Sequence, residues 1–248
     1  MKEPARSLLR LFCAPNPFWS LPRLFQFMRD YRNYVRLSGQ KIGYHDLWPF
    51  LNDKTDTTPI GYYFYQDTWA FHKIAKALPA SHVDVGSTAL LVGCLAGIVP
   101  TVSVDIRPLD VSLPGLTHKP GSIIEMPFET GTVESISSLC VVEHIGLGRY
   151  GDPLDPLGSE KAGHELARVL RPGGSLYVSL PIGLKSKTKF NAHRIFNVAA
   201  ALALFPGLSL QGYVLVGNRG ILSSLEAADG EDFPVGLFHL TKPEMKKG

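Results

Sequence analysis

From about residue 82 onward, short apolar runs alternate with segments of helical period. HVDVG, TVSVDI, GSIIEMPF, VESISSLCVV and SLYVSLP are brief, rich in Val, Ile and Leu, and bounded by Gly, Pro or Asp, so each predicts a strand. ALLVGCLAG predicts a short apolar helix. SEKAGHELARVL places Ala162, Leu166, Val169 and Leu170 on one helical face, with Ser159 as a candidate N-cap and RPGG as its stop. HRIFNVAAALALF predicts a further helix, and LSLQGYVLVG and VGLFHLTK two closing strands. Upstream, DTWAFHKIAKAL sets Trp69, Ile74 and Leu78 before Pro79, which ends a helix. Strands alternating with helices give an α/β fold: a doubly wound, mostly parallel seven-stranded sheet covered on both faces.

Residues 1–57 follow a different pattern and predict a basic helical N-terminal extension to an α/β domain over 58–248. LPRLFQFMRDYRNYVRLS stripes Leu24, Phe25, Met28, Tyr31 and Val35 against Arg23, Arg29, Arg32 and Arg36, with Pro22 at its first turn. KTDTTPIGYYFYQD reads as the linker that follows. The net charge is only +3, but residues 1–54 hold nine Lys/Arg against four Asp/Glu. Such an arm either offers peripheral contact to an anionic membrane or is a solvated helical face. No nucleic-acid module accompanies it, so nucleic-acid binding is not expected.

The overall composition, 45% apolar and 19% charged, suits a globular chain. Cys13, Cys94 and Cys140 form no CxxC and no disulfide framework; Cys94 and Cys140 read as buried packing residues of a cytoplasmic protein. No segment has the roughly 18 uncharged apolar residues of a spanning helix, and the start lacks a signal-peptide core.

Two strands end in acids. Asp84 is followed by Gly86, and Asp105 closes TVSVD. In a βαβ unit, an acid at the second strand's tip can hold a ribose diol, and a glycine after the first strand lets backbone approach a nucleotide. The expectation is that Asp84 and Asp105 together cradle one adenosine-like molecule.

The ordered run GSIIEMPFETGTVESISSLCVVEHIG…ELARVLRPGGSLYVSLP resembles class I AdoMet-dependent methyltransferases over about residues 67–243. YFYQDTWAFHKI, HVDVGS, DIRPL, SSLCVVEHIGLGRYGDPLDPLG, LYVSLPIG and FNAHRIFN are similar to hallmark runs of domain of unknown function 268, over about 61–197. The resemblance implies S-adenosyl-L-methionine as cofactor, lying across Asp84, Gly86, Ser87 and Thr88, then Asp105 and Ile106, then Ile123 and Glu125. The chain departs from the pattern twice. Thr88 stands where a second loop glycine is expected, so the loop must take another course than one needing positive φ there. Ser122 stands where an acid faces the adenine amino group, with Glu125 as its substitute.

Further candidates follow the later strands. Glu143 and His144 suit proton transfer, or form a structural pair that bonds the next loop. Arg149, Tyr150 and Asp152 suit a polar substrate, or a turn held by Gly and Pro with Asp152 capping amides. Asn191, His193 and Arg194 suit substrate recognition, with His193 a second base and Arg194 an anion clamp; otherwise Asn191 is a helix N-cap and the others its first turn. No HExxH-like spacing accompanies the histidines, so no metal is expected, and the remaining histidines read as surface or helix residues. The leading expectation is methyl transfer to a polar small molecule or glycan acceptor. The alternative is a degenerate fold that binds a nucleoside or partner without catalysis. The missing GxGxxG argues against a dinucleotide oxidoreductase.

Overall fold

A computed structural model describes residues 17–43, 46–47, 60–226 and 233–244. It divides into two units, Met1–Thr58 and Pro59–Gly248. In the first, helix α1 (Pro17–Ser38) starts four residues before the predicted segment and carries Pro22 in its interior rather than at its first turn. Gly39, at φ 67°, ends it by donating its amide to Val35 O at 3.0 Å. Phe25, predicted on the apolar stripe, is 75% exposed.

The second unit contains α2 (Tyr62–Ala77), β1 (His82–Val85), α3 (Ala89–Ala96), β2 (Thr101–Asp105), β3 (Leu116–Pro120) and β4 (Val133–Leu139). There follow α4 (Gly158–Val169), β5 (Leu170–Pro181), β6 (Lys187–Lys189), β7 (His193–Ile195) and α5 (Val198–Ala203). The chain closes with β8 (Ser209–Gly217), β9 (Gly220–Leu222) and β10 (Val235–Thr241). The sheet runs β3-β2-β1-β4-β5-β10-β8-β9. β3 to β5 are mutually parallel, and β10 lies antiparallel between β5 and β8. The fold class is the expected one. The eighth strand, β9, arises because Gly217–Gly220 turns the chain back on β8.

Period-2 alternation distributes the core. Val83, Val85 and Ile136 join the larger cluster with Leu166 and Val169 of α4. Ala70 and Ile74 of α2 pack with Leu91 and Leu95 of α3 and with Tyr177 in a second. The same alternation turns His82 and Asp84 away from the larger cluster. His82, read as a surface residue, is fully buried between Ser135 Oγ (2.8 Å) and Ser137 Oγ (2.9 Å). Ser137 donates its proton to Asp84, so His82 Nε2–H donates to Ser137 and Nδ1 accepts from Ser135. Burial pushes its pKa down to about 3.

Three predicted elements differ. GSIIEMPF is not a strand: β3 lies upstream in LTHKP, an edge strand too polar to show an apolar run, while Ile123 and Met126 are buried from a loop. HRIFN does not begin a helix. His193–Ile195 pairs with Lys187–Lys189 as a hairpin, and Asn197, not Asn191, caps α5 by accepting from the Ala200 amide at 2.8 Å. Ser159 does not cap α4; its hydroxyl donates to Val142 O at 2.7 Å. Cys94 is exposed rather than buried, and Cys140 is partly buried.

Backbone contact between α4 and the chain after α5 makes a test. A Cβ on Gly163 would stand 2.2 Å from Leu204 O. Helix propensity favours Ala over Gly by about 1 kcal/mol, and overpacking costs about 1–3 kcal/mol. Gly163→Ala should therefore destabilise the protein in urea unfolding, whereas Gly212→Ala, with nothing within 4 Å, should be near neutral.

Candidate functional site

Strand order reverses between β1 and β4, and at that point the carboxyl ends diverge into a crevice. Five segments reach it: the β1–α3 turn, the tip of β2, the loop after β3, the turn after β4 and the loop that leads into α4. Gly86, at φ 68°, gives the first turn its left-handed step. Thr88 takes an ordinary φ of −67° and caps α3 by accepting from the Leu91 amide. Its hydroxyl donates to Asp67 Oδ2 at 2.6 Å. One positive φ therefore suffices for this loop, and the second glycine is dispensable.

A cavity of about 500 Å³ opens here, within the range of small-ligand sites. Asp105 and Ile106 line it from β2, Ser122 and Ile123 from the loop after β3, and Gly86 from the first turn. A Cβ on Gly86 would meet Val141 at 3.2 Å and Asp105 Oδ2 at 3.7 Å, so glycine keeps the Asp105 carboxylate approachable. The Arg107 amide donates to Asp105 Oδ1 at 2.7 Å and orients it.

Asp84 is not in this cavity, so the two acids share no hollow. Fully buried, it accepts from Ser137 Oγ at 2.5 Å and from the Ser87 amide at 3.0 Å. Burial pushes its pKa up to about 6, against those two hydrogen bonds. Glu125 does not line the cavity either. It is exposed, and its amide closes a turn on Ser122 O at 3.0 Å, leaving the Ser122 and Ile123 edge to face a ligand.

A second cavity of about 400 Å³ adjoins the first, and Gly86, Cys140, His144 and Tyr150 line both. Ser87 and Thr88 line only the second. Cys140 leaves β4 at φ 53°, a conformation rare for any residue but glycine. Its amide donates to Ser179 O at 3.1 Å and its thiol to Gln66 Oε1 at 3.2 Å. A 3-10 turn, Val142–His144, then presents Glu143 and His144. Glu143 is 1% exposed, and its Oε2 has no hydrogen-bond partner. Burial pushes its pKa up to about 8. His144 Nδ1 lies 2.7 Å from Ala192 O, so Nδ1 carries the proton and Nε2 keeps its lone pair, 3.7 Å from Glu143 Oε1. Burial lowers the His144 pKa, against the Ala192 bond. A neutral imidazole with a free Nε2 is the form that accepts a proton.

His193 joins this cavity, edge-on to Phe233 at 4.5 Å and to His144 at 6.4 Å between centroids. Arg149 lines it and donates to Ala192 O at 3.0 Å. Two guanidinium groups lie near the Tyr150 ring, Arg107 at 5.2 Å and Arg149 at 5.1 Å from its centre. Asp152 lines the first cavity, where its carboxylate accepts from the Gly146 amide at 2.6 Å and the Tyr150 amide at 3.3 Å.

Arg194 and Asn191 stand outside both cavities. Arg194 donates to Ile145 O at 2.6 Å, Ser159 Oγ at 3.0 Å and Asp155 O at 3.2 Å, so it fastens the loop after β4. Asn191 donates to Leu147 O at 3.4 Å. Sequence reasoning missed Tyr62, Tyr63 and Phe233, which wall the second cavity. The density of rings in YYFYQ was the available signal; read as linker, it is the first turn of α2.

Residues 127–215 match the family model described as Caenorhabditis protein of unknown function, DUF268. No curated protein sequence matches the chain. Among solved structures, the [4+2]-cyclase SpnF superposes with a TM-score of 0.54 at 12% identity, over 72% of this chain and 82% of that one. The YcgJ protein of Bacillus subtilis gives 0.51 at 14% identity, over 72% and 100%. A candidate sarcosine dimethylglycine methyltransferase from Galdieria sulphuraria gives 0.50 at 16% identity, over 73% and 86%.

Glu143 makes a stability test. A carboxyl whose pKa is raised on folding contributes stability below its ordinary range, near 4.5, that is lost as pH rises through about 8. Gln keeps the shape and does not ionise. Glu143→Gln should gain on the native protein by up to about 1.4 kcal/mol per pH unit across that window. Urea unfolding at pH 5.5 and 8.0 measures the gain; a constant difference would contradict the buried neutral acid. The chain has the class I methyltransferase fold, related through its segment 127–215 to DUF268.

Proposed function

We propose that this chain is an AdoMet-dependent methyltransferase acting on a polar small molecule or a glycan. One observation carries the reading: a cavity of about 500 Å³ at the carboxyl ends of the strands and a second, ring-walled cavity meet at Gly86, Cys140, His144 and Tyr150, with a neutral imidazole at the junction. The first cavity suits the cofactor. Asp105 would accept from the ribose hydroxyls, Ile106 and Ile123 would flank the adenine, and the turn at Gly86 would lead toward the amino-acid end. When bound, AdoMet supplies an electrophilic methyl group on a sulfonium.

The chain's own residues then have defined tasks. The walls of the second cavity hold the acceptor against the junction, which contributes through proximity and orientation. His144 Nε2 takes the proton from the acceptor's hydroxyl or amine, and the Nδ1–H bond to Ala192 O steadies the imidazolium so formed. Glu143, 3.7 Å from Nε2, adds a favourable charge if it ionises when His144 becomes cationic. His193 and Phe233 exclude water from the acceptor's side. SpnF, a cyclase on this fold, marks that the fold alone does not fix the reaction; the junction is what favours transfer.

No helix among the described residues is long and apolar enough to cross a membrane. A cytoplasmic setting agrees with the free thiols of Cys94 and Cys140. The basic arm at 1–57 is proposed as a peripheral membrane contact and not as a nucleic-acid site.

Calorimetric titration with AdoMet and S-adenosylhomocysteine tests the cofactor assignment. Binding in the micromolar range is expected, weakened at least tenfold by Asp105→Ala. No heat with either ligand would overturn the reading in favour of a degenerate fold without a cofactor.

A further inference from the structure

Resting on the methyltransferase reading, the acceptor class itself can be narrowed. The second cavity is walled by rings. Tyr62 and Tyr63 stack at 4.5 Å, Phe233 lies 6.4 Å from Tyr62, and His193 meets Phe233 at 4.5 Å. Such walls offer flat faces and edges to a planar body.

The charged groups in contact with the rings are cations, and the nearby Asp67 carboxylate is engaged by the Thr88 hydroxyl at 2.6 Å. Arg149 lines the cavity, Arg107 and Arg149 lie near Tyr150, and Lys189 stands 5.7 Å from the Phe233 centroid. Asp105 and Asp152 line the other cavity, while Glu143, the acid lining this one, is buried in the environment that disfavours its charge. A bound sulfonium would add one more positive charge. A cavity so surrounded favours an anion, which relieves the mutual repulsion of the cations.

Geometry locates that anion. Arg149 Nη1 and His144 Nδ1 both donate to Ala192 O, so the guanidinium and the imidazole lie within two hydrogen-bond lengths of each other. One donor of Arg149 is engaged there, and a guanidinium has five. An oxyanion on the others leaves the acceptor's hydroxyl on the imidazole side. We propose that the acceptor is an aromatic hydroxy acid whose carboxylate pairs with Arg149.

Calorimetry with 4-hydroxybenzoate and 4-hydroxybenzamide as probes tests this without turnover. The protein is first saturated with S-adenosylhomocysteine, or with sinefungin, which carries an amine where the sulfonium stands. The benzoate should bind at least tenfold tighter than the amide, and severalfold tighter in the cationic sinefungin complex than in the other. Arg149→Gln should erase the preference and Arg149→Lys keep part of it, both leaving S-adenosylhomocysteine affinity within twofold. Equal binding of the two probes, or a preference that survives Arg149→Gln, would overturn the anion. Should Arg149→Gln fail to fold, the sinefungin comparison on the native protein decides, and equal affinities there overturn the proposal. Tighter binding of glucuronate than of 4-hydroxybenzoate, or no binding of either benzoyl probe, would overturn the aromatic assignment. Absence of S-adenosylhomocysteine binding would instead overturn the methyltransferase reading, and this proposal with it.

Discussion

The buried carboxylate of Asp84 is the constraint on which the crevice depends. It draws Ser137 of β4 and the Ser87 amide to the tip of β1. Ser87 Oγ in turn accepts from the Leu139 amide at 3.2 Å. Two strands that diverge at the switch point are thereby tied to one turn. The tie brings Gly86 against Val141 and beside Asp105, so both cavities begin at the same glycine. An uncompensated buried charge would cost several kcal/mol. Two donated hydrogen bonds, with a pKa near 6, keep the cost tolerable. Below that acid, His82, Ser135 and Ser137 continue the polar chain between β1 and β4, with each donor matched to an acceptor.

Strain and unsatisfied polarity gather one strand away. Cys140 holds a left-handed backbone conformation, and Glu143 carries an oxygen without a partner. Each is unfavourable by about 1–3 kcal/mol. They sit within four residues of each other, Cys140 on the wall that both cavities share and Glu143 in the second cavity, and the rest of the sheet has no comparable cluster among the described residues. The well-packed neighbours, Val142 and Ser159 with its bond to Val142 O, hold this turn in place. Local instability of this kind is expected where a side chain is presented to a ligand rather than to its own protein.

Much of the fold was legible because it rests on periodicity. HVDV and TVSVD alternate, α4 keeps its apolar face, and the acids at the strand tips mark the crevice before any coordinates are known. Roles at the site were less legible, because they depend on which way a side chain turns. Asp84 and Asp105 look equivalent as strand-terminal acids. Yet Asp84 faces β4 and Asp105 faces the cavity. Asn191 and Asn197 are equally good caps by residue type, and the β6–β7 hairpin decides between them. β3 escaped notice because an edge strand paired on one side only has little need of an apolar run. Tyr62 and Tyr63 were hidden by the turn signals around them, Pro59 and Gly61, which made a helix start look like a linker.

Arg194 shows how a cation's task follows from the carbonyls within reach. Its guanidinium satisfies backbone oxygens at both ends of the 145–156 loop, a segment with glycines at positive φ at 146, 148 and 151 and so little helical or strand bonding of its own. Asp152 closes the same loop from within through the Gly146 and Tyr150 amides. Fixed at both ends and in the middle, the loop can hold Tyr150 over the junction of the two cavities without secondary structure. Among the described residues, Arg149, on that loop, makes one hydrogen bond to protein where Arg194 makes four. Two arginines of the same type thus divide the work: one holds the loop that carries the other, and the less saturated guanidinium is the one that lines the acceptor cavity.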